Sequence, residues 1–105
     1  MSSLDKPFDI KITVLKNVKT DDILREFGKD TVESECPLHK TGQEFIVKDL
    51  NKPEGFCSWA WADIHRDIAT LAMGGNFFWI KKPGNMVSCC TDGLRPVIFK
   101  LERIE

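Results

Sequence analysis

Met86-Val87-Ser88-Cys89-Cys90-Thr91-Asp92-Gly93-Leu94-Arg95-Pro96-Val97-Ile98-Phe99-Lys100-Leu101-Glu102-Arg103 reads as two β-strands folded back on each other. Residues 86–91 and 97–103 are rich in β-formers. They flank Asp92-Gly93-Leu94-Arg95, where Asp-Gly is the favoured pair for a tight hairpin turn. Pro96 suits the first residue of the returning strand, where its missing N–H costs least. A hairpin pairs its strands antiparallel, so the sheet it belongs to is expected to be mostly antiparallel.

Upstream of the hairpin, segment 76–82 is rich in aromatics and is closed by Pro83-Gly84. Before it comes the one substantial helix, predicted over residues 59–73 with Ser58 as its cap. Trp61, Ile64, Ile68 and Leu71 fall at helical spacing on one face. Asp63, Arg66, Asp67 and Thr70 fall largely on the other, and Gly74-Gly75 stops the helix. Trp59 lies off the apolar stripe and is expected to meet a second surface, such as a partner subunit. Nearer the start, Phe8, Ile10, Ile12 and Val14 alternate with Asp9, Lys11 and Thr13, the period of a half-buried strand. Thr20-Asp21-Asp22 supplies helix-capping residues, Ile23, Leu24 and Phe27 form a short apolar face, and Gly28 ends it. Phe45, Ile46 and Val47 read as a second strand between Gly42 and the turn residues 51–55. The order β-α-β-α-β-β predicts an α+β fold: a mostly antiparallel sheet, one long helix packed across it, and one short helix. A partly closed barrel is the alternative.

A chain of 105 residues fits a single domain, 1–105, with residues 1–7 expected as a flexible N-terminal tail. A hydrophobic fraction of 42% is enough for a real core. Fifteen basic residues against sixteen acidic ones leave a formal charge of -1. That balance gives no electrostatic reason to expect nucleic acid as a partner. The first residues lack the apolar core of a secretory signal. No apolar run reaches the ~18–20 residues that cross a bilayer. The expectation is therefore a cytoplasmic protein without a membrane partner, whose thiols stay reduced.

Several segments are distinctive in combination: Cys36-Pro37, Gly42-Gln43-Glu44-Phe45-Ile46-Val47 and Pro53-Glu54-Gly55-Phe56-Cys57, followed by Gly74-Gly75-Asn76-Phe77, Trp79, Cys90, Asp92 and Pro96-Val97-Ile98-Phe99. Together they resemble a family of short conserved hypothetical proteins of bacteria and archaea. The resemblance runs over nearly the whole chain from Ile10 onward. It implies a stand-alone domain in a prokaryotic cytoplasm and brings no activity or catalytic residue with it. It also implies that Cys36, Cys57 and Cys90 are the cysteines belonging to the pattern, whereas Cys89 and His39 are not clearly part of it.

The four cysteines are the chemistry-bearing residues of the chain. Cys36-Pro37-Leu38-His39 has the C-x₂-H spacing that lets a pair of ligands share one loop. Cys57 stands alone, and Cys89 and Cys90 are adjacent, which makes joint coordination by both awkward. Cys36, Cys57 and Cys90 each lie at an element boundary, and boundaries gathered at one sheet edge would bring three sulfurs to a zinc or iron ion. His39, Cys89 or water would then be the fourth ligand. The plainer alternative is buried, structural cysteine. Cys57 precedes the long helix, where the helix dipole favours a thiolate. It is the candidate catalytic nucleophile and is expected to alkylate fastest. His65 is too far along the same helix to serve it. Trp59, Trp61, Phe77, Phe78 and Trp79 are candidates for an apolar pocket or simply for core.

The expected function is that of a small binding or accessory protein acting through a thiolate-bound metal at Cys36, Cys57, Cys90 and His39. A protein partner or small ligand would be its target, and a homo-oligomer is one arrangement it could take. The alternative is a small cysteine- or metal-dependent enzyme with an aromatic-lined pocket. A purely structural subunit is the third class.

Overall fold

In the first strand, β1 (Asp9–Asn17), Ile10, Ile12 and Val14 are buried while the residues between them are only partly covered, as the pleat requires. The computed structural model describes residues 6–105, so residues 1–5 of the anticipated tail lie outside the described part. A short helix, α1 (Asp21–Phe27), follows β1 and buries none of its residues. The apolar face anticipated there therefore has no core to meet, and Phe27 is 73% exposed. Next come β2 (Glu44–Val47), the long helix α2 (Ser58–Ala72), and the hairpin of β3 (Asn85–Cys89) and β4 (Val97–Ile104).

The four strands form one sheet in the order β2-β1-β4-β3, with every neighbouring pair antiparallel. The sheet stays open, which sets aside the barrel alternative. Its centre joins the first and last strands, in register from Asp9 opposite Ile104 to Asn17 opposite Val97. A bulge between Val14 and Lys16 leaves Leu15 out of the pairing and ends the inward alternation. The hairpin loop differs from the tight turn expected. Gly93 does not adopt a positive φ. Instead Asp92 Oδ1 accepts the Leu94 and Arg95 N–H groups at 3.0 and 3.2 Å and holds the loop from inside.

One face of the sheet is covered by α2. Ile64, Ile68 and Leu71 meet Ile10, Ile12, Val14, Phe99 and Leu101, all buried. Each large aliphatic side chain so removed from water contributes about 1.5–3 kcal/mol. The predicted helix face is rotated slightly. Ala60 lies at the core and Trp61 is only partly buried. Asp67, expected in solvent, is 4% exposed, with Arg66 Nε 3.5 Å from its Oδ1. Arg66 itself is exposed, as its position implied. Asp63 is half-buried and hydrogen-bonded, as described below.

The end of α2 is closed as Gly74-Gly75 suggested. Gly74, at φ +93°, donates to Leu71 O, and Gly75 donates to Thr70 O, which is the Schellman arrangement. A Cβ on Gly75 would fall 2.9 Å from Thr70 Cγ2, so a side chain has no room there. The remaining carbonyls are met from outside the helix. Phe8 N donates to Ala72 O at 2.8 Å. Arg103 of β4 donates through Nη1 to Leu71 O at 3.0 Å and to Gly75 O at 2.7 Å.

Candidate functional site

The loop leading into β2 is pinned to the far end of β1. Gly42 N donates to Val14 O, Val14 N donates to Gln43 O, and Asn17 Nδ2 donates to His39 O at 2.8 Å. This fixes Cys36-Pro37-Leu38-His39 beside the start of α2. The loop after β3 is fastened to the same helix end. Asp63 Oδ2 accepts from Thr91 N at 2.7 Å and from Thr91 Oγ1 at 2.9 Å, and Trp59 Nε1 donates to Thr91 Oγ1 at 3.0 Å. Between these two loops and the first turn of α2 lies a cleft of about 600 Å³, within the range of small-molecule sites. Its wall includes Cys36, Leu38, His39, Cys57, Trp59, Ala60, Cys90, Thr91, Asp92, Arg95, Val97 and Phe99.

The residues singled out in the sequence therefore share one wall: Cys36, His39, Cys57 and Cys90. Cys89 does not; it is exposed on β3. Sharing a wall falls short of coordinating an ion. Among the described residues, no group of three or more His, Cys, Asp or Glu side chains is placed to hold a metal. Cys90 also has a local task. It is buried, its N–H donates to Val97 O, and its Sγ accepts from Val97 N at 3.3 Å, closing the neck of the hairpin loop.

His39 is the residue whose environment says most. It is 2% exposed, with its ring edge-on to Phe45 and Phe99 and tilted 4.8 Å from Phe56. The Cys57 N–H donates to its Nε2 at 3.4 Å. The proton of the neutral ring is thus on Nδ1, which is buried without a partner. Burial pushes the His39 pKa below the ordinary histidine value, while a weak hydrogen-bonding contact from the Gln43 side chain, too long to satisfy the ring, acts in the opposite direction. His65 is exposed on α2 with its ring 5.3 Å from Trp61, apart from this cleft.

The lowered pKa has a testable consequence. Above about pH 6.5 the imidazole is neutral in both folded and unfolded chains. As pH falls through that value the unfolded chain takes up a proton that the folded chain refuses, so stability declines until the lower folded pKa is passed. The slope is at most about 1.4 kcal/mol per pH unit for one proton. Urea unfolding between pH 7.5 and 5 should show a loss in the native protein that is reduced in His39→Phe. Parallel pH profiles for the two proteins would count against this role.

Cys57 is the N-cap of α2, one residue earlier than the expected cap Ser58, and makes no side-chain capping bond. Its half-buried thiol stands in the cleft wall. The aromatic segment following α2 is not part of the site. Phe78 is 95% exposed, and of the five candidate aromatics only Trp59 lines the cleft. Arg95 and Thr91 are the members that sequence reasoning missed. Arg95 had no signal beyond its place in a turn. No family model, curated protein or solved structure matches the chain. Among the described residues no helix is long and apolar enough to cross a membrane.

Proposed function

We propose that this chain is a small-molecule binding protein whose ligand occupies the cleft at the start of α2. The observation that carries the reading is the meeting of Cys36 and His39 with Cys57 and Cys90, from three separate segments of the chain, in the wall of one cavity. The wall is largely apolar with a few polar groups at defined points, as small-molecule sites usually are. A buried imidazole N–H without a partner supports the same reading, because such a group is costly unless something supplies an acceptor.

A second reading, a cysteine-dependent enzyme with Cys57 as nucleophile, is favoured by the position of that thiol at a helix start inside the cleft. It is weakened by His39, whose unprotonated nitrogen already accepts from the Cys57 backbone. Thiol labelling separates access from activation. Cys89 is exposed, Cys57 and Cys36 are half-buried, and Cys90 is buried. On access alone Cys89 should alkylate first near pH 7, and Cys90 should stay unlabelled until the chain unfolds. Cys57 outrunning Cys89, read by mass spectrometry of the folded protein, would favour the enzyme. Cys90 reacting as fast as Cys89 would show that the hairpin loop is open. For binding itself, a fragment library screened by protein-observed NMR should shift resonances of Cys57, Trp59 and Thr91. No shift from any fragment would overturn the proposal.

A further inference from the structure

We infer that the cleft takes a small organic carboxylate, with its charged end at the first turn of α2 beside His39 and Arg95 and its apolar body against Val97 and Phe99. The inference rests on the cleft being a binding site and adds the ligand's chemical class. Hydrogen-bonding capacity in this wall is unbalanced, and the surplus is of donors.

The first contribution is the helix. α2 runs from Ser58 to Ala72, and its N-cap, Cys57, offers its first-turn N–H groups no side-chain acceptor. No acidic residue stands in that turn. The orphan N–H groups and the positive end of the helix dipole favour an anion there. Trp59 and Ala60 of the same turn line the cleft.

The second is independent of the helix. His39 lies almost fully buried in the cleft wall, its Nε2 is engaged by Cys57 N–H, and the proton this leaves on Nδ1 has no acceptor within hydrogen-bonding distance, Gln43 making only a weak contact. The third is Arg95, also in the wall, whose Nε is buried without a hydrogen bond. Asp92 Oδ2 lies 3.4 Å from it, an ion pair without hydrogen-bond alignment. The other oxygen of Asp92 is held by two backbone N–H groups. The guanidinium therefore keeps donors for a ligand, and its fork geometry matches a carboxylate.

The same features limit the anion's charge. One guanidinium, partly offset by Asp92, suits a single negative charge better than a phosphate dianion. The rest of the wall is apolar: Leu38, Ala60, Val97 and Phe99. That surface suits a hydrocarbon or aryl body, whose burial would supply most of the affinity.

The test uses matched probes on the full chain: phenylacetate and 3-phenylpropionate against their primary amides, titrated by protein-observed NMR. The acids are expected to bind about tenfold more tightly than the amides, a difference typical of one added charge-assisted hydrogen bond. Their shifts should centre on Cys57, Trp59, Thr91 and the Arg95 side chain. Arg95→Met should bring the affinity of the acids most of the way down toward that of the amides, and Arg95→Lys should restore part of the difference. If Arg95→Met fails to fold, raising the salt concentration on the native protein should weaken the acids and spare the amides. Equal affinity of acids and amides would overturn the carboxylate assignment and leave the binding reading intact. Acids binding away from the cleft would overturn it as well. If neither these probes nor any neutral or cationic fragment perturbs the cleft, the binding reading itself falls.

Discussion

Phe99→Ala is expected to lower the free energy of unfolding by about 3–5 kcal/mol, the usual cost of removing a fully buried aromatic ring. Phe99 is 0% exposed at the centre of β4. Its ring centroid lies 5.4 Å from that of Phe56 and 5.7 Å from that of His39, and it also forms part of the cleft wall. Alanine would leave a void beside the Phe56 and His39 rings, which are held by two different loops, so the site cannot collapse to fill it. Typical domains are stable by only about 5–15 kcal/mol, and a loss of this size would bring the chain close to its unfolding threshold. Urea denaturation gives the number. Phe99→Leu should cost clearly less, because it retains most of the volume. Equal costs for the two variants would mean that the void closes, and the rigid aromatic cluster would be the wrong description.

The second large effect concerns Arg103. Its side chain is 7% exposed, with Nη1 donating to Leu71 O and Gly75 O and Nη2 to Asn76 Oδ1 at 3.0 Å. Asn76 Oδ1 also accepts from Gly84 N at 2.7 Å, and Arg103 N donates to Gly84 O. One guanidinium thus neutralises the carbonyl end of α2 and gathers the chain between that helix and β3. Arg103→Met keeps much of the side-chain volume but leaves Gly75 O without its donor and takes one of two donors from Leu71 O and Asn76 Oδ1, for an expected loss of about 1–3 kcal/mol. Arg103→Lys should recover only a minor part, since a single ammonium cannot reach three acceptors in a plane. Hydrogen exchange should rise at Gly75 and Gly84 in the Met variant. Unchanged stability in that variant would show that water replaces the guanidinium without penalty.

Much of this architecture was legible because it follows short-range periodicity. The alternation of Ile10, Ile12 and Val14 and the spacing of Ile64, Ile68 and Leu71 both proved to mark buried faces. Asp67 was misjudged because its charge was weighed above its position. It lies three residues after Ile64 and four before Leu71, squarely on the inward stripe, whereas Trp61 sits toward its margin. The meeting of Cys36, His39, Cys57 and Cys90 could be anticipated from their places at element boundaries. The absence of ion-holding geometry among them could not, because it depends on where each sulfur points. Cys90 Sγ is engaged by a backbone N–H seven residues on. Arg95 and Arg103 gave no signal at all. The partners of Arg103 at the end of α2 lie about thirty residues earlier in the chain, Arg95 meets the cleft only through the folding of the hairpin loop against α2, and nothing in local composition marks either arginine.

The central pairing of β1 with β4 also governs how the chain can be assembled. Of the six elements among the described residues, β4 follows the other five in chain order, and it is the strand that β1 needs on its inner side. Until residues 97–104 are available, β1 has only the four-residue β2 beside it, and the apolar stripe of α2 faces half a sheet. Contacts of such wide sequence separation must overcome loop-closure entropy before they are rewarded. Folding is therefore expected to be slow for a domain of this size and to wait on β4. During that wait the edge of β1 that β4 pairs stays open along a β-prone row, the kind of segment that invites aggregation or engages a chaperone.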